Sequence, residues 1–112
     1  MKTVFHLVQA DEQGRETTLT IANNLTEDDQ ADIEEIAVVA QADGAEPVTT
    51  GGTGSETVET LLSKGVSVKI CSNTMDLKEL EESDLVDGVE TVSSGGAELT
   101  RLQADDYAYI RP

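Results

Sequence analysis

Short apolar runs alternate with amphipathic helical patterns along this whole chain, and that alternation constrains the fold more than any other feature. Thr3–Gln9 (TVFHLVQ) is apolar at nearly every position, as expected of a strand covered on both faces. Thr18, Ile21, Ala22 and Leu25 then recur at i, i+3, i+4 and i+7, behind Asp11 and Glu12, which favour a helix N-terminus. Ile33–Ala40 is a second apolar run, followed by a glycine-rich connection, Gln41–Gly54. Thr53-Gly-Ser-Glu56 has capping-box spacing ahead of Val58, Leu61 and Leu62, and Gly65 sits where a helix C′ glycine belongs. Val66–Ile70 is a third strand. Asp76 and Glu79 are expected to cap a short helix with Leu77 and Leu80. Val89–Val92 is a weaker strand, Ala97–Gln103 a helix with Leu99 and Leu102, and Tyr107–Ile110 the last strand before Pro112. Strands alternating with helices predict a mainly parallel five-stranded sheet in a three-layer α/β/α domain over residues 1–112. The first two strands, the most apolar, are expected to be central, and the fourth to be an edge.

The third strand is the informative one. Val66, Val68 and Ile70 point one way; Ser67, Lys69 and Cys71 point the other. A lysine on a doubly covered strand is out of place, so this face is expected to be wet or to line a subunit boundary. Cys71 falls at the carboxyl end of that strand, where open α/β sheets collect ligands. Ser72-Asn73-Thr74 and a helix start follow it. A thiol beside unsatisfied helix N–H groups has a depressed pKa, and the thiolate is the reactive form. Lys69, two residues earlier on the same face, is expected to add positive charge. The competing reading of Cys71 is a small hydrophobe at the rim of the core. Ser72, Asn73 and Thr74 are candidates to hydrogen-bond a sulfur or substrate, or else simply shape the turn. His6, inside the first strand, is a candidate base or a satisfied core residue. Gly51-Gly52-Thr53-Gly54 offers main-chain N–H groups to an anion or is a flexible loop; it lacks the Gly-Lys-Ser/Thr ending of a P-loop.

Charge and cysteine count exclude several function classes. Formal net charge is −16, from 23 acidic and 7 basic residues, with no Lys/Arg cluster, so nucleic acid and anionic membranes are poor partners. The acids are spread along the chain like a wholly acidic surface rather than a tail. Such a surface repels itself in dilute salt and is screened in molar salt. The composition resembles that of proteins from salt-in halophiles; the alternative is simply an acidic protein. One cysteine permits no intramolecular disulfide and no multi-thiolate zinc site, and no metal is expected. No GxGxxG follows the first strand, so no dinucleotide cofactor is expected. The longest apolar stretch, Ile36–Ala40, is far below the ~20 residues of a bilayer span, and Met1–Phe5 leads straight into a strand-like run without a signal-peptide pattern. A cytoplasmic protein is expected.

Several segments together resemble the DsrE/DsrF-like family. They are Lys2-Thr3-Val4-Phe5-His6-Leu7, Ala22-Asn23-Asn24-Leu25, Leu61–Lys64 into Gly65-Val66, and Ile70-Cys71-Ser72-Asn73-Thr74-Met75. Asp84–Gly88 leading to Val92-Ser93-Ser94-Gly95 and the ending Tyr107-Ala108-Tyr109-Ile110-Arg111-Pro112 complete the set. The strand-end cysteine with Ser-Asn-Thr-Met after it is the most specific. The resemblance implies a three-layer fold with a five-stranded parallel sheet and a homo-oligomer, a trimer or a pair of trimers. It also implies a sulfur-relay role in which Cys71 carries a persulfide between donor and acceptor proteins. The competing function is a non-catalytic homo-oligomeric binding or regulatory module with an incidental cysteine.

Overall fold

The computed structural model describes all of residues 1–112. In chain order the elements are β1 (Lys2–Leu7), α1 (Glu12–Thr26), β2 (Glu35–Ala40), a 3₁₀ segment (Ala42–Val48), α2 (Ser55–Ser63), β3 (Ser67–Cys71), α3 (Ser72–Leu77), a 3₁₀ turn (Glu82–Asp84), β4 (Glu90–Val92), α4 (Gly95–Ala104) and β5 (Tyr107–Ile110). All strand pairs are parallel, in the order β4-β3-β2-β1-β5. The apolar β1 and β2 lie inside the sheet and the short β4 at an edge, as their patterns predict.

The topology sorts the helices. Right-handed crossovers from β1 to β2, β3 and β4 all step in one direction and place α1, α2 and α3 on one face; the return step to β5 places α4 on the other. The first face buries a cluster of 16 residues, including Phe5, Leu7, Val38, Ile70, Leu61 and Met75. The second buries only five, Val4, Ala37, Val39, Leu99 and Leu102, beneath the single helix α4. The three layers are present but very unequal.

Local rules explain the helix ends. Asp11 caps α1 by accepting from the Gly14 N–H at 2.9 Å, and Ser94 caps α4 by accepting from Ala97 N–H at 3.0 Å. At the end of α2, Gly65 N–H bonds Leu62 O and Val66 N–H bonds Leu61 O, a Schellman motif that needs the positive φ of Gly65, +89°.

Three expectations are corrected. The Thr53–Glu56 capping box does not form: Gly54 occupies the N-cap of α2 without a side-chain bond, because Thr53 is held by its own N–H donating to Glu46 Oε1 at 3.2 Å. The glycine-rich connection Gln41–Gly54 carries an element of its own: its first half is the 3₁₀ segment, which buries Ala45, Pro47 and Val48 in the core. Asp76 does not start α3, which begins directly after Cys71 and leaves Leu77 75% exposed. The buried stripe of α1 runs through Thr18, Leu19 and Ala22, with Ile21 facing out.

The polar side of β3 is corrected as well. It is neither wet nor open, because α4 covers it. Lys69 forms an ion pair with Glu98 of α4, their side chains only 13% and 9% exposed, and Arg101 completes the pairing at 2.6 Å. Lys69 is spoken for by Glu98 and brings no free positive charge to Cys71.

Candidate functional site at the carboxyl edge of the sheet

Cys71 is both the last residue of β3 and the N-cap of α3, with no intervening loop. Its side chain points to the α4 side. It therefore lies where the N-terminal ends of α3 and α4 meet over the carboxyl edge of the sheet. Asn73, Thr74 and Gly95 surround the sulfur at this edge, and their main-chain N–H groups, with the Thr74 hydroxyl, favour its anionic form. Burial pushes the thiol pKa up, and these donors together more than offset it, so the thiol lies below its ordinary 9.0. The Thr74 hydroxyl is itself placed by accepting from the Ala42 N–H at 3.0 Å.

The residue is 3% exposed, so the thiol is buried rather than openly accessible. The surroundings are nonetheless polar. Cys71 lines an open depression of about 500 Å³ together with Val8, Gln41, Thr74, Leu77 and Gly95.

The other predicted residues divide. Thr74 is buried beside the sulfur and Asn73 lies exposed at the rim of the depression. Ser72 is half-buried and does not line it. Lys69 lies further back along β3, paired with Glu98. His6 reaches the depression only through Gln41: its Nε2–H donates to Gln41 Oε1 at 2.6 Å, and its Nδ1 accepts from the Tyr109 hydroxyl, also at 2.6 Å. Burial lowers the His6 pKa against the raising effect of the Gln41 bond, and Arg111 lowers it further, so the ring is neutral at neutral pH. It is a satisfied residue rather than a free base.

The glycine-rich stretch Gly51–Gly54 lines a separate depression with Glu12, Glu16 and Glu56. Arg15 at that depression already donates to the carbonyls of Gln9 and Ala10. Three carboxylates and a committed guanidinium make it a poor place for an anion. No three His, Cys, Asp or Glu side chains converge to hold a metal ion, and no helix is long and apolar enough to cross a membrane.

Sequence reasoning did not single out Gln41, Gly95, Tyr109 or Glu98 individually. Gln41 and Gly95 were findable, since each opens a segment that follows a strand; Glu98 and Tyr109 needed the packing of α4 and the β1–β5 pairing.

An open parallel sheet with a thiol at its carboxyl edge defines a class of small α/β domains whose chemistry sits at the strand ends. Residues 2–112 match the DsrE/DsrF-like family, and the chain belongs to it. The solved structure of a protein of unknown function, MTH1491 from Methanobacterium thermoautotrophicum, is 33% identical, with 99% of this chain and 98% of that one aligned and a TM-score of 0.90. The ychN protein from E. coli is 21% identical, with 98% of this chain and 100% of that one aligned and a TM-score of 0.73; the likeness there is one of fold. No curated protein matches the chain.

Proposed function

We propose that this protein is a sulfur carrier that holds sulfane sulfur as a persulfide on Cys71. The observation that carries this reading is a strand-end sulfur lining an open depression where the first residues of two helices meet, with its thiol pKa lowered by their N–H groups. Those donors favour an anionic sulfur, and family membership points to sulfur relay. In loading, the Cys71 thiolate attacks the outer sulfur of a donor persulfide, R–S–SH. A bond forms between Cys71 Sγ and that sulfur, the donor's own S–S bond breaks, and the electron pair leaves on the donor as R–S⁻. The proton stays with the transferred sulfur, and nothing is oxidised or reduced overall. Delivery is the same exchange with an acceptor thiolate attacking. No cofactor is needed.

The carrier is proposed to be a homo-oligomer, a trimer or hexamer. Parallel sheets are normally covered on both faces, and here α4 alone covers the second one, beside the half-exposed Tyr109 and the protruding Leu77. Light scattering is expected to give a mass well above 11.9 kDa.

Mass spectrometry after exposure to glutathione persulfide tests the carrier reading. Wild type is expected to gain one sulfur at Cys71, and Cys71→Ser to fold and gain none. Equal behaviour of the two proteins sinks the proposal. A second reading, a binding module with an incidental cysteine, draws on the 3% exposure of Cys71. It requires alkylation at neutral pH to be as slow as for a core thiol.

A further inference from the structure

Tyr109 of β5, His6 of β1 and Gln41 at the end of β2 form a hydrogen-bonded row across the α4 face of the sheet, and the row ends at the depression over Cys71. The neutral His6 ring has one N–H, and it is committed to Gln41 Oε1. Because the amide is planar, holding its oxygen also fixes where its NH₂ points. That NH₂ makes no hydrogen bond within the chain, although every other polar atom in the row is engaged. It lies against the first residue of α4: a Cβ on Gly95 would stand 2.4 Å from Gln41 Nε2 and 2.2 Å from Cδ. Only glycine leaves room for the amide there. This same Gly95 lines the depression beside Cys71, and its N–H helps lower the thiol pKa. A pinned, neutral donor therefore belongs to the same depression that Cys71 lines, the space open to a second sulfur on that residue.

We propose that Gln41 binds the outer sulfur of the Cys71 persulfide. The proposal rests on the reading of Cys71 as a sulfur carrier and adds a residue that discriminates the loaded state from the resting thiol. The outer sulfur of a persulfide is anionic near neutral pH, and N–H donors bind an ionised acceptor more strongly than a neutral one. An amide donor also holds the anion without handing it a proton, unlike an ammonium or imidazolium in the same place. Neutralising the outer sulfur would weaken its hold on the donor ring, so a donor that cannot protonate it favours retention.

The test compares wild type with Gln41→Met, a near-isosteric change that removes the donor and adds no charge. Both are loaded with glutathione persulfide, the donor is removed, and the sulfur remaining on Cys71 is followed by mass spectrometry. Alkylation of the unloaded thiol by iodoacetamide is measured in parallel. Gln41→Met is expected to lose its sulfur about tenfold faster, the scale of one hydrogen bond to a charged group, with alkylation of the unloaded thiol unchanged. If Gln41→Met does not fold, Gln41→Glu serves instead: it keeps the oxygen for His6, turns a repelling oxygen toward the sulfur, and is expected to lose sulfur at least as fast. Retention equal to wild type overturns the role of Gln41 and leaves the carrier reading standing. A loss of retention matched by an equal change in alkylation of the unloaded Gln41→Met thiol also overturns it, because Gln41 would then merely support α4. A wild-type protein that takes up no sulfur overturns the carrier reading and this inference together.

Discussion

Burial and hydrogen bonding pull the Cys71 thiol in opposite directions, and the balance is set by Thr74 more than by any other residue. Thr74 lowers the thiol pKa through both its main-chain N–H and its hydroxyl, while the same hydroxyl oxygen accepts from Ala42 N–H. Ala42 is a non-glycine residue at a positive φ of 52°, so that bond also holds a strained turn. Thr74→Val keeps the shape and removes the hydroxyl. The pH at which Cys71 alkylation is half-maximal is expected to rise toward the ordinary thiol value, and unfolding free energy to fall by about 1 kcal/mol. Rates of iodoacetamide modification across pH, with urea unfolding alongside, check both. The wild-type linkage has a definite sign. A thiol depressed in the fold stabilises it fully above the unfolded pKa, near 9.0, and that contribution is lost as pH falls through the folded value. An alkylation midpoint that Thr74→Val leaves in place rules out the hydroxyl as a donor to the sulfur.

Between elements, the tie that matters for the site joins β3 to α4. Glu98 lies three residues after Gly95 and Lys69 two before Cys71, so their ion pair fastens the helix whose first residue lines the depression beside the sulfur. The Arg101 bonds, at 3.0 and 2.6 Å, and then Lys69 hold the Glu98 carboxyl at about 2, against burial, which raises it. The drop from 4.5 is worth on the order of 3 kcal/mol, present above pH 4.5 and lost as pH falls through about 2. Glu98→Gln is expected to cost about 3 kcal/mol at neutral pH because it strands Lys69, and Lys69→Met combined with Glu98→Leu to recover most of that. Urea midpoints of the three proteins decide it. The thiol gives an independent readout. Removing a negative charge alone lowers the Cys71 pKa, whereas loosening Gly95 raises it, so the direction of the alkylation midpoint in Glu98→Gln shows whether the tie positions α4. Much of this arrangement is legible in the sequence: alternation predicts the parallel sheet, strand polarity places Cys71 at its carboxyl edge, and the pattern of Ala97–Gln103 predicts the neighbouring helix, two residues short of its start at Gly95. What was not legible depended on partners distant in sequence. A lysine on β3 reads as a sign of solvent until Glu98, 29 residues on, is known to cover it. The Thr53–Glu56 spacing reads as a cap until Glu46 takes the Thr53 N–H. Ile21 and Leu19 are equally apolar in sequence, and only the packing of α1 on α2 chooses Leu19 for the core.

Across the whole molecule the charge is not merely large but almost entirely of one sign once local pairs are subtracted. All four lysines are in ion pairs, Lys2 with Asp105, Lys64 with Glu27, Lys69 with Glu98 and Lys78 with Asp43, and Arg101 shares Glu98. Glu34 pairs with the chain's N-terminal amine. Five of the 23 acids are thus matched, and the remaining 18 face one another across a domain whose Cα radius of gyration is 12.8 Å. The Debye length of about 30 Å at 0.01 M salt exceeds that radius, so in dilute buffer most acids feel most others; at 1 M the length is about 3 Å and each feels only its neighbours. Unfolding relieves the repulsion by separating the charges, so dilute salt favours the unfolded chain. Assembly into an oligomer sharpens the same penalty by bringing acidic surfaces together, and salt is expected to favour both steps. The exposed ion pairs work the other way, since screening weakens them, but exposed pairs are worth at most about 1 kcal/mol each, and the buried Lys69–Glu98 pair is shielded from salt. Melting temperature is therefore expected to climb steeply between dilute buffer and molar KCl, with the light-scattering mass rising over the same range. Substituting Lys for several unmatched acids, such as Glu12, Glu16, Asp28 and Glu59, is expected to flatten that climb by raising stability in dilute buffer. A melting temperature that stays level from dilute buffer to molar KCl removes the case for adaptation to high salt and leaves the protein merely acidic.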